Sequence, residues 1–431
     1  MTSQRAARLT LAGLLVLSTC LSFPTARKAG ANDEPDYEPG QVVVRLAPLP
    51  DNSILGINQT YGTITLASLY NHTDIFLLQA PAGMSVEQLV AMMAHDPRLE
   101  YAELNYINQE PEDGSTDRIY GWGGQDDSAF RNQDAARALR LRDVHNLSRG
   151  AGALVAVLDT GAQLNHPVLV NRWSNLGYDF VDNDLTPADE ANGLDDDEDG
   201  RVDEAYGHGT HVAGIIHLVA PEALILPLRV LNSDGRGNNF RTANAILYAA
   251  YNGADAINLS LGTAHPSRLL QDGVEEAAHL GAVVVAAAGN LNSTAPQYPA
   301  AEACAIAVTS VDSRNRKSSF ASYGNWVDVA APGEGIYSTF PVNGYAWWSG
   351  TSMSTPFVTG QAALLLSDNP ELMLDEVGQL IGGTARSLEP FNPAYRGLLG
   401  AGLIDVLESL ESLAVGGWPP EGNLFAGCNT Q

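Results

Sequence analysis

The chain has 431 residues, 45% of them hydrophobic and 17% charged, with a formal net charge of −27. That length allows two or three domains and one large core, and the composition is that of a globular protein rather than a disordered one. The acidic excess argues against nucleic acid as a partner, since phosphate binding needs basic surface, and it suits a soluble protein exposed to the outside medium.

The first thirty residues read as an export signal. Arg5 and Arg8 form a basic start, Leu9 to Leu17 an apolar core, and Ala29-Gly30-Ala31 a small-residue cleavage site, so residues 1–31 are assigned to it. The apolar stretch is too short for a transmembrane anchor. Cys20, after Leu17-Ser18-Thr19, offers lipidation as an alternative, against which Thr19 counts. Once the signal is removed, Cys304 and Cys428 remain, and they either pair in an oxidising compartment or stay free. Cys304 lies beside an apolar strand and reads more readily as a small buried hydrophobe.

Residues 36–109 form a candidate small domain. Gln41 to Leu46 and Asp74 to Leu78 have strand patterns, Ser85 caps a helix that runs to Met93, and Leu99 to Glu103 leads into a last extended piece. Strands and helices alternating on this scale predict an α+β unit. Residues 110–133 read as a linker, because Glu110 to Asp127 is polar and rich in Gly and Asp.

Residues 134–410 carry a different pattern. A helix is predicted over Asp134 to Val144. Leu154 to Leu158 is a continuous apolar run, followed by similar ones at Leu224 to Val230, Ala256 to Leu261, Val283 to Ala288 and Ala305 to Val311. Runs without alternation predict strands buried on both faces. Helical stretches lie between several of them, at Phe240 to Tyr251 and Arg268 to Leu280, and another apolar helix follows at Phe357 to Leu366. The fold class is therefore α/β, a mostly parallel sheet covered by helices on both sides. Sites in such sheets lie at the carboxyl ends of strands, where Asp159, Ser260-Leu261-Gly262 and Asn290 stand. Residues 411–431 are a tail too short for a domain.

Three stretches carry chemistry. Asp159 ends the first buried strand. His208 and His211 share the stretch Gly207 to Gly214. They are three apart, as metal ligands on one helix face can be, but no further ligand stands at a familiar spacing, so His208 is read as a general base and His211 as structural. Ser352, in Gly350-Thr351-Ser352-Met353, sits where a loop becomes a helix and backbone N–H groups lack intrahelical partners. A serine hydroxyl needs an imidazole to take its proton, and the imidazole needs a carboxylate to fix its tautomer. Asp159, His208 and Ser352 supply all three. Their chain order, Asp then His then Ser, is the order already known from subtilisin and differs from the chymotrypsin order and the Ser-first order of other hydrolases. No Gly-x-Ser-x-Gly elbow surrounds Ser352, which counts against a lipase or esterase.

Val157-Leu158-Asp159-Thr160-Gly161, the His208 stretch and Gly350 to Met353 resemble the three signatures of subtilases, the peptidase S8 family. Pro39 to Val44 and Asp96 to Tyr106 resemble the inhibitory propeptide of that family. The resemblance implies a subtilisin-like three-layer sandwich preceded by a ferredoxin-like α+β propeptide domain. It also implies a secreted serine endopeptidase made as a zymogen and acting on protein or peptide substrates. Asn290, in Ala286 to Asn290, would donate to the oxyanion with the Ser352 N–H. Ser260, Leu261 and Gly262, with Gly235 and Gly237, would flank an extended substrate. Gln297 would stand at the base of the primary pocket. The propeptide would be an intramolecular inhibitor, cut near Asn108-Gln109, and a monomer is expected.

No cofactor is expected for the chemistry. The usual calcium ligand after His-Pro is replaced by Val168, but Asp195, Asp197, Asp199 and Asp203 alternate along an acidic loop, a candidate for structural calcium. The rival reading of the chain as a whole, a catalytically silent binding protein that keeps the fold, has the complete triad against it.

Overall fold

The computed structural model describes residues 35–112, 121–197, 199–419 and 422–428. The export signal and Cys20 lie outside them. Among the described residues no helix is long and apolar enough to cross a membrane.

The first unit is a four-stranded antiparallel sheet with two helices. Its elements are the strand Tyr37–Leu46, the helix Ile54–Tyr61, the strands Ile64–Ser68 and Ile75–Gln79, the helix Val86–Met93 and the strand Leu99–Gln109. The spatial order puts the first and last strands side by side at the centre and edge, the βαββαβ arrangement of a ferredoxin-like unit. Ser53 and Ser85 cap the two helices by accepting from Gly56 N and Gln88 N. Val42, Val44, Ile57, Leu78, Leu89 and Met93 form its core.

The second unit is built on a seven-stranded sheet in which every pair is parallel. Its order is Val329–Pro332, Ala305–Val311, Val283–Ala287, Ala256–Leu259, Leu154–Asp159, Leu224–Arg229, Tyr178–Asp179. Leu154–Asp159 is where the order reverses. The chain moves to one side for its next strands and then crosses to the other, which leaves a crevice at the carboxyl end of this strand. Val155 and Val157 face one layer, with the helices His208–Val219 and Thr351–Asp368. Ala156 and Leu158 face the other, with Asn239–Tyr251 and Arg268–His279. Burial on both faces is why these strands read as unbroken apolar runs.

Several segments differ from the sequence reading, which lacked the helix Ile54–Tyr61 and strand Ile64–Ser68 of the first unit and the strands Tyr178–Asp179 and Val329–Pro332 of the large sheet. The predicted helix Asp134–Val144 is two short ones, Asp134–Ala138 and Leu141–Val144, interrupted where Arg140 takes φ 54°. The stretch read as linker contributes a strand, Gly121–Gly124, to the hairpin formed by Ile336–Phe340 and Gly344–Trp348, and then a short helix, Asp127–Arg131. Cys304 and Cys428 form a disulfide, which ties the tail to the body. Phe425 of that tail is buried.

The two units share an interface. Val43, Leu69, Ile75 and Tyr101 of the first pack on Phe240, Ala243, Leu247, Leu269 and Leu270 of the second. Two helix starts of the second unit are satisfied by side chains of the first. Glu103 accepts from Ser267 Oγ (2.6 Å), Arg268 N (2.9 Å) and Leu269 N (3.3 Å), and Asn105 Oδ1 accepts from Phe240 N (3.0 Å). The bonds from Arg268 N, Leu269 N and Phe240 N satisfy backbone donors that a helix leaves open at its start.

Candidate active site

Asp159, His208 and Ser352 come from the end of the switch-point strand, the start of the His208–Val219 helix and the start of the Thr351–Asp368 helix, and all three are fully buried. His208 Nδ1 lies 2.7 Å from Asp159 Oδ1, which also accepts from Thr160 N at 2.8 Å. The ring stands edge-on to Trp348, 5.2 Å between centroids. His211 points away from the site, with Nε2 3.1 Å from the Ala346 carbonyl, and burial holds it neutral, pushed down to about 3. The metal reading of the histidine pair ends there.

Ser352 is the second residue of its helix, and its carbonyl lacks the usual helical partner. Pro356 has no N–H, so it cannot donate to the Ser352 carbonyl four residues back. The Ser260 hydroxyl makes that bond instead, at 2.9 Å. Ser260 thus fixes the backbone of Ser352. Asn290 Oδ1 accepts from Thr351 N (2.9 Å) and Thr351 Oγ1 (3.0 Å). With its oxygen so engaged, the Asn290 amide turns Nδ2 toward the space in front of Gly350.

Sequence reasoning missed Asp189. Its carboxylate is buried and accepts from Gly207 N (3.0 Å), Thr210 Oγ1 (2.7 Å) and Thr160 Oγ1 (3.3 Å). It caps the His208 helix, whose own N-cap residue is a glycine, and ties it to the residue after Asp159. Burial raises its pKa to about 6 against those hydrogen bonds. The signal was weak, because Asp189 stands in an acidic loop with no motif around it.

The groove is occupied. Ile107, Asn108 and Gln109 pair antiparallel with Asn238, Gly237 and Arg236. On the other rim Gln109 N donates to the Gly262 carbonyl (3.0 Å) and Gly262 N donates to the Gln109 carbonyl (2.9 Å). Gly235 accepts from Glu110 N at 3.1 Å. Gly235 has φ 76°, and a Cβ there would collide with Glu110, so both conformation and close approach require glycine. Gln297 lies against Gly262 and Gly289, between the rim and the Asn290 segment. The expected cut near Asn108-Gln109 meets an obstacle here. The Gln109 carbonyl is held by Gly262, and the residue against Ser352 is Glu112, three positions on.

Two groups of side chains have metal-ligand spacing among the described residues: Glu110, Glu112 and His208, and Asp195, Asp197 and Asp199. The first contains the candidate base. The second keeps three of the four predicted calcium ligands. Asp203 does not join them, and instead accepts from Asn192 N (2.7 Å) and Gly193 N (2.9 Å).

A parallel α/β sheet with an Asp–His pair and a helix-borne serine at its switch point, under an N-terminal unit, defines a serine peptidase with a prodomain. The chain belongs to the subtilase family, whose profile matches residues 150–402, and the fervidolysin N-terminal prodomain profile matches residues 23–105. It is 46% identical to thermitase of Thermoactinomyces vulgaris over 254 residues, 56% of this chain and 85% of that one. It is 39% identical to a thermophilic serine proteinase of Bacillus sp. (strain AK1) over 312 residues, 70% of this chain and 71% of that one. Among solved structures, fervidolysin of Fervidobacterium pennivorans has the same fold, with TM-score 0.69 and 23% identity over 87% of this chain and 61% of that one.

Proposed function

We propose that the protein is an exported serine endopeptidase made as a self-processed zymogen. Ser352 is the nucleophile, His208 the general base and Asp159 its orienting carboxylate. The observation that carries this reading is the 2.7 Å Asp159–His208 contact beside Ser352, at the end of a groove that a peptide strand already fills.

In this reading Ser352 Oγ attacks the carbonyl carbon of a peptide bond while His208 Nε2 takes its proton. Asp159 fixes the tautomer and stabilises the imidazolium. Asn290 Nδ2 and the Ser352 N–H hold the oxyanion. His208 then returns the proton to the leaving amine, and water repeats the cycle on the acyl-enzyme. Gly235, Gly237 and Gly262 bond the substrate main chain, with Ser260 and Leu261 beneath, and Gln297 sets the depth of the primary pocket.

Residues 36–109 are the inhibitory prodomain and 134–410 the peptidase domain. The cut is inferred to lie after Gln109 and before the strand at Gly121. Export is supported by the signal pattern and by a disulfide, which persists in oxidising compartments. Asp195, Asp197 and Asp199 would hold calcium as a structural ion, with hard oxygen donors suited to it. Mass spectrometry of purified wild-type and Ser352→Ala proteins tests the reading. The wild type should lose its N-terminal domain and the variant keep it; a variant that is processed in pure form contradicts self-cleavage.

A further inference from the structure

The ladder that fills the groove stops for a covalent reason. Glu110 N makes the last rim bond, and Pro111 has no N–H to continue. Beyond it, the Glu112 side chain enters the site. Its Oε2 lies 2.7 Å from Ser352 Oγ and 3.5 Å from His208 Nε2. Its Oε1 fills the space in front of Gly350, beside Asn290 Nδ2, where a Cβ would collide with it. One carboxylate therefore faces the nucleophile, the base and the oxyanion donor together. Glu110 brings a second carboxylate, with Oε2 3.7 Å from His208 Nε2. Both glutamates are buried.

Resting on the zymogen reading, we propose that Glu112 is a built-in inhibitor of the proform, its side-chain carboxylate standing where the scissile carbonyl must go, so that processing requires its withdrawal. A carboxylate has the planar, two-oxygen shape of the acid product of hydrolysis. It is inert to the serine, because its carbon is already shielded by negative charge. Ser352 Oγ donates to Glu112, and His208 Nε2 makes no hydrogen bond to the serine. The proton transfer that would activate Ser352 is broken at its first step.

The groups around His208 explain what holds this state. Asp159 faces it from the central strand, Glu110 and Glu112 from the pro-segment, His211 from its own helix, Trp348 from the hairpin and Ser352 from the nucleophile helix. Burial opposes a charged imidazole, but the neighbouring carboxylates of Asp159, Glu110 and Glu112 outweigh it and hold His208 protonated well above its ordinary range. An imidazolium cannot act as a base. Because the folded value is raised, the contact is fully present below the ordinary imidazole range near 6.5 and is lost as pH rises through the raised value. Processing of the proform should accelerate toward alkaline pH.

Two readouts test this. The first is the processing half-time of wild-type and Glu112→Gln proforms, followed by mass spectrometry across pH 6 to 10. The second is the NMR titration of His208 in Ser352→Ala and in Glu112→Gln/Ser352→Ala, where no cleavage occurs. Loss of the charge should shorten the half-time at neutral pH at least tenfold and move the His208 titration down by a unit or more. An unchanged half-time overturns the proposal, and so does an unchanged titration. If instead wild-type and Ser352→Ala proforms are both left uncut at every pH, self-processing itself fails, a result distinct from the first two.

Discussion

Asn290 shows how one side chain can be both anchored and available. Its oxygen takes two bonds from Thr351, at 2.9 and 3.0 Å, so the NH2 group is held toward the site without needing a partner of its own. Electrostatic preorganisation of this kind lowers a barrier because no reorganisation is needed as charge develops. Asn290→Ala should therefore reduce kcat of the mature enzyme by about 10²–10³ with KM little changed, as measured by steady-state peptide hydrolysis. A comparable loss carried by KM would mean that Asn290 binds the ground state. Asp159, His208, Ser352, Asn290 and the groove glycines stood out as candidates in the chain because each sits in a local motif with a chemical reason for its residue types. Glu112 and Asp189 did not. Both are carboxylates in acidic stretches, and what distinguishes them is which distant group they meet, Ser352 in one case and Gly207 with Thr210 in the other.

At the scale of elements, five of the seven parallel strands were legible because burial on both faces writes an unbroken apolar run; Tyr178–Asp179, two residues long, and Val329–Pro332, four residues ending in proline, were not. The ends of the five were found to within one or two residues, as at Ala305–Val311 and Val283–Ala287. The strand Gly121–Gly124 was not legible either, since three of its four residues are glycine and its partner Gly344–Trp348 is over two hundred residues away. The break at Arg140 was hidden for another reason: apolar spacing continues across it, and Arg140 is held by an ion pair to Asp405 that only the fold creates. The sheet edge also contains a costly group. Asp328 precedes the strand Val329–Pro332 and accepts from Ala307 N at 2.8 Å, and burial raises its pKa to about 7. A carboxyl raised in the folded state destabilises progressively as pH climbs from the ordinary value toward 7, and fully above it. Asparagine keeps the acceptor and removes the charge. Asp328→Asn in the Ser352→Ala background should thus raise stability by about 2 kcal/mol at pH 9, after discounting for partial exposure, and by little at pH 4. Denaturant melts at both pH values decide it, and equal effects at both would assign the change to packing.

For the whole molecule, the prodomain and the disulfide stabilise by different routes. The prodomain supplies helix caps and an apolar face from outside the peptidase domain, so on the proposed zymogen reading its contribution would end with cleavage. The Cys304–Cys428 bond remains. It closes a sequence separation of 124 residues and pins a tail whose Phe425 and Leu424 pack against the helix Leu374–Gly383. Constraining a loop of that length removes unfolded-state entropy worth roughly 4–5 kcal/mol on the chain-entropy account. In a domain of this size each kcal/mol moves Tm by about 2–4 °C. Cys304→Ser/Cys428→Ser in the mature enzyme should therefore lower Tm by about 10 °C or more, while kcat/KM at low temperature stays unchanged, because neither cysteine approaches the site. Calorimetry on an inhibited enzyme, which prevents self-digestion from passing for unfolding, measures it. A shift below about 2 °C would show that the tail's packing restrains the unfolded chain nearly as well as the covalent bond does.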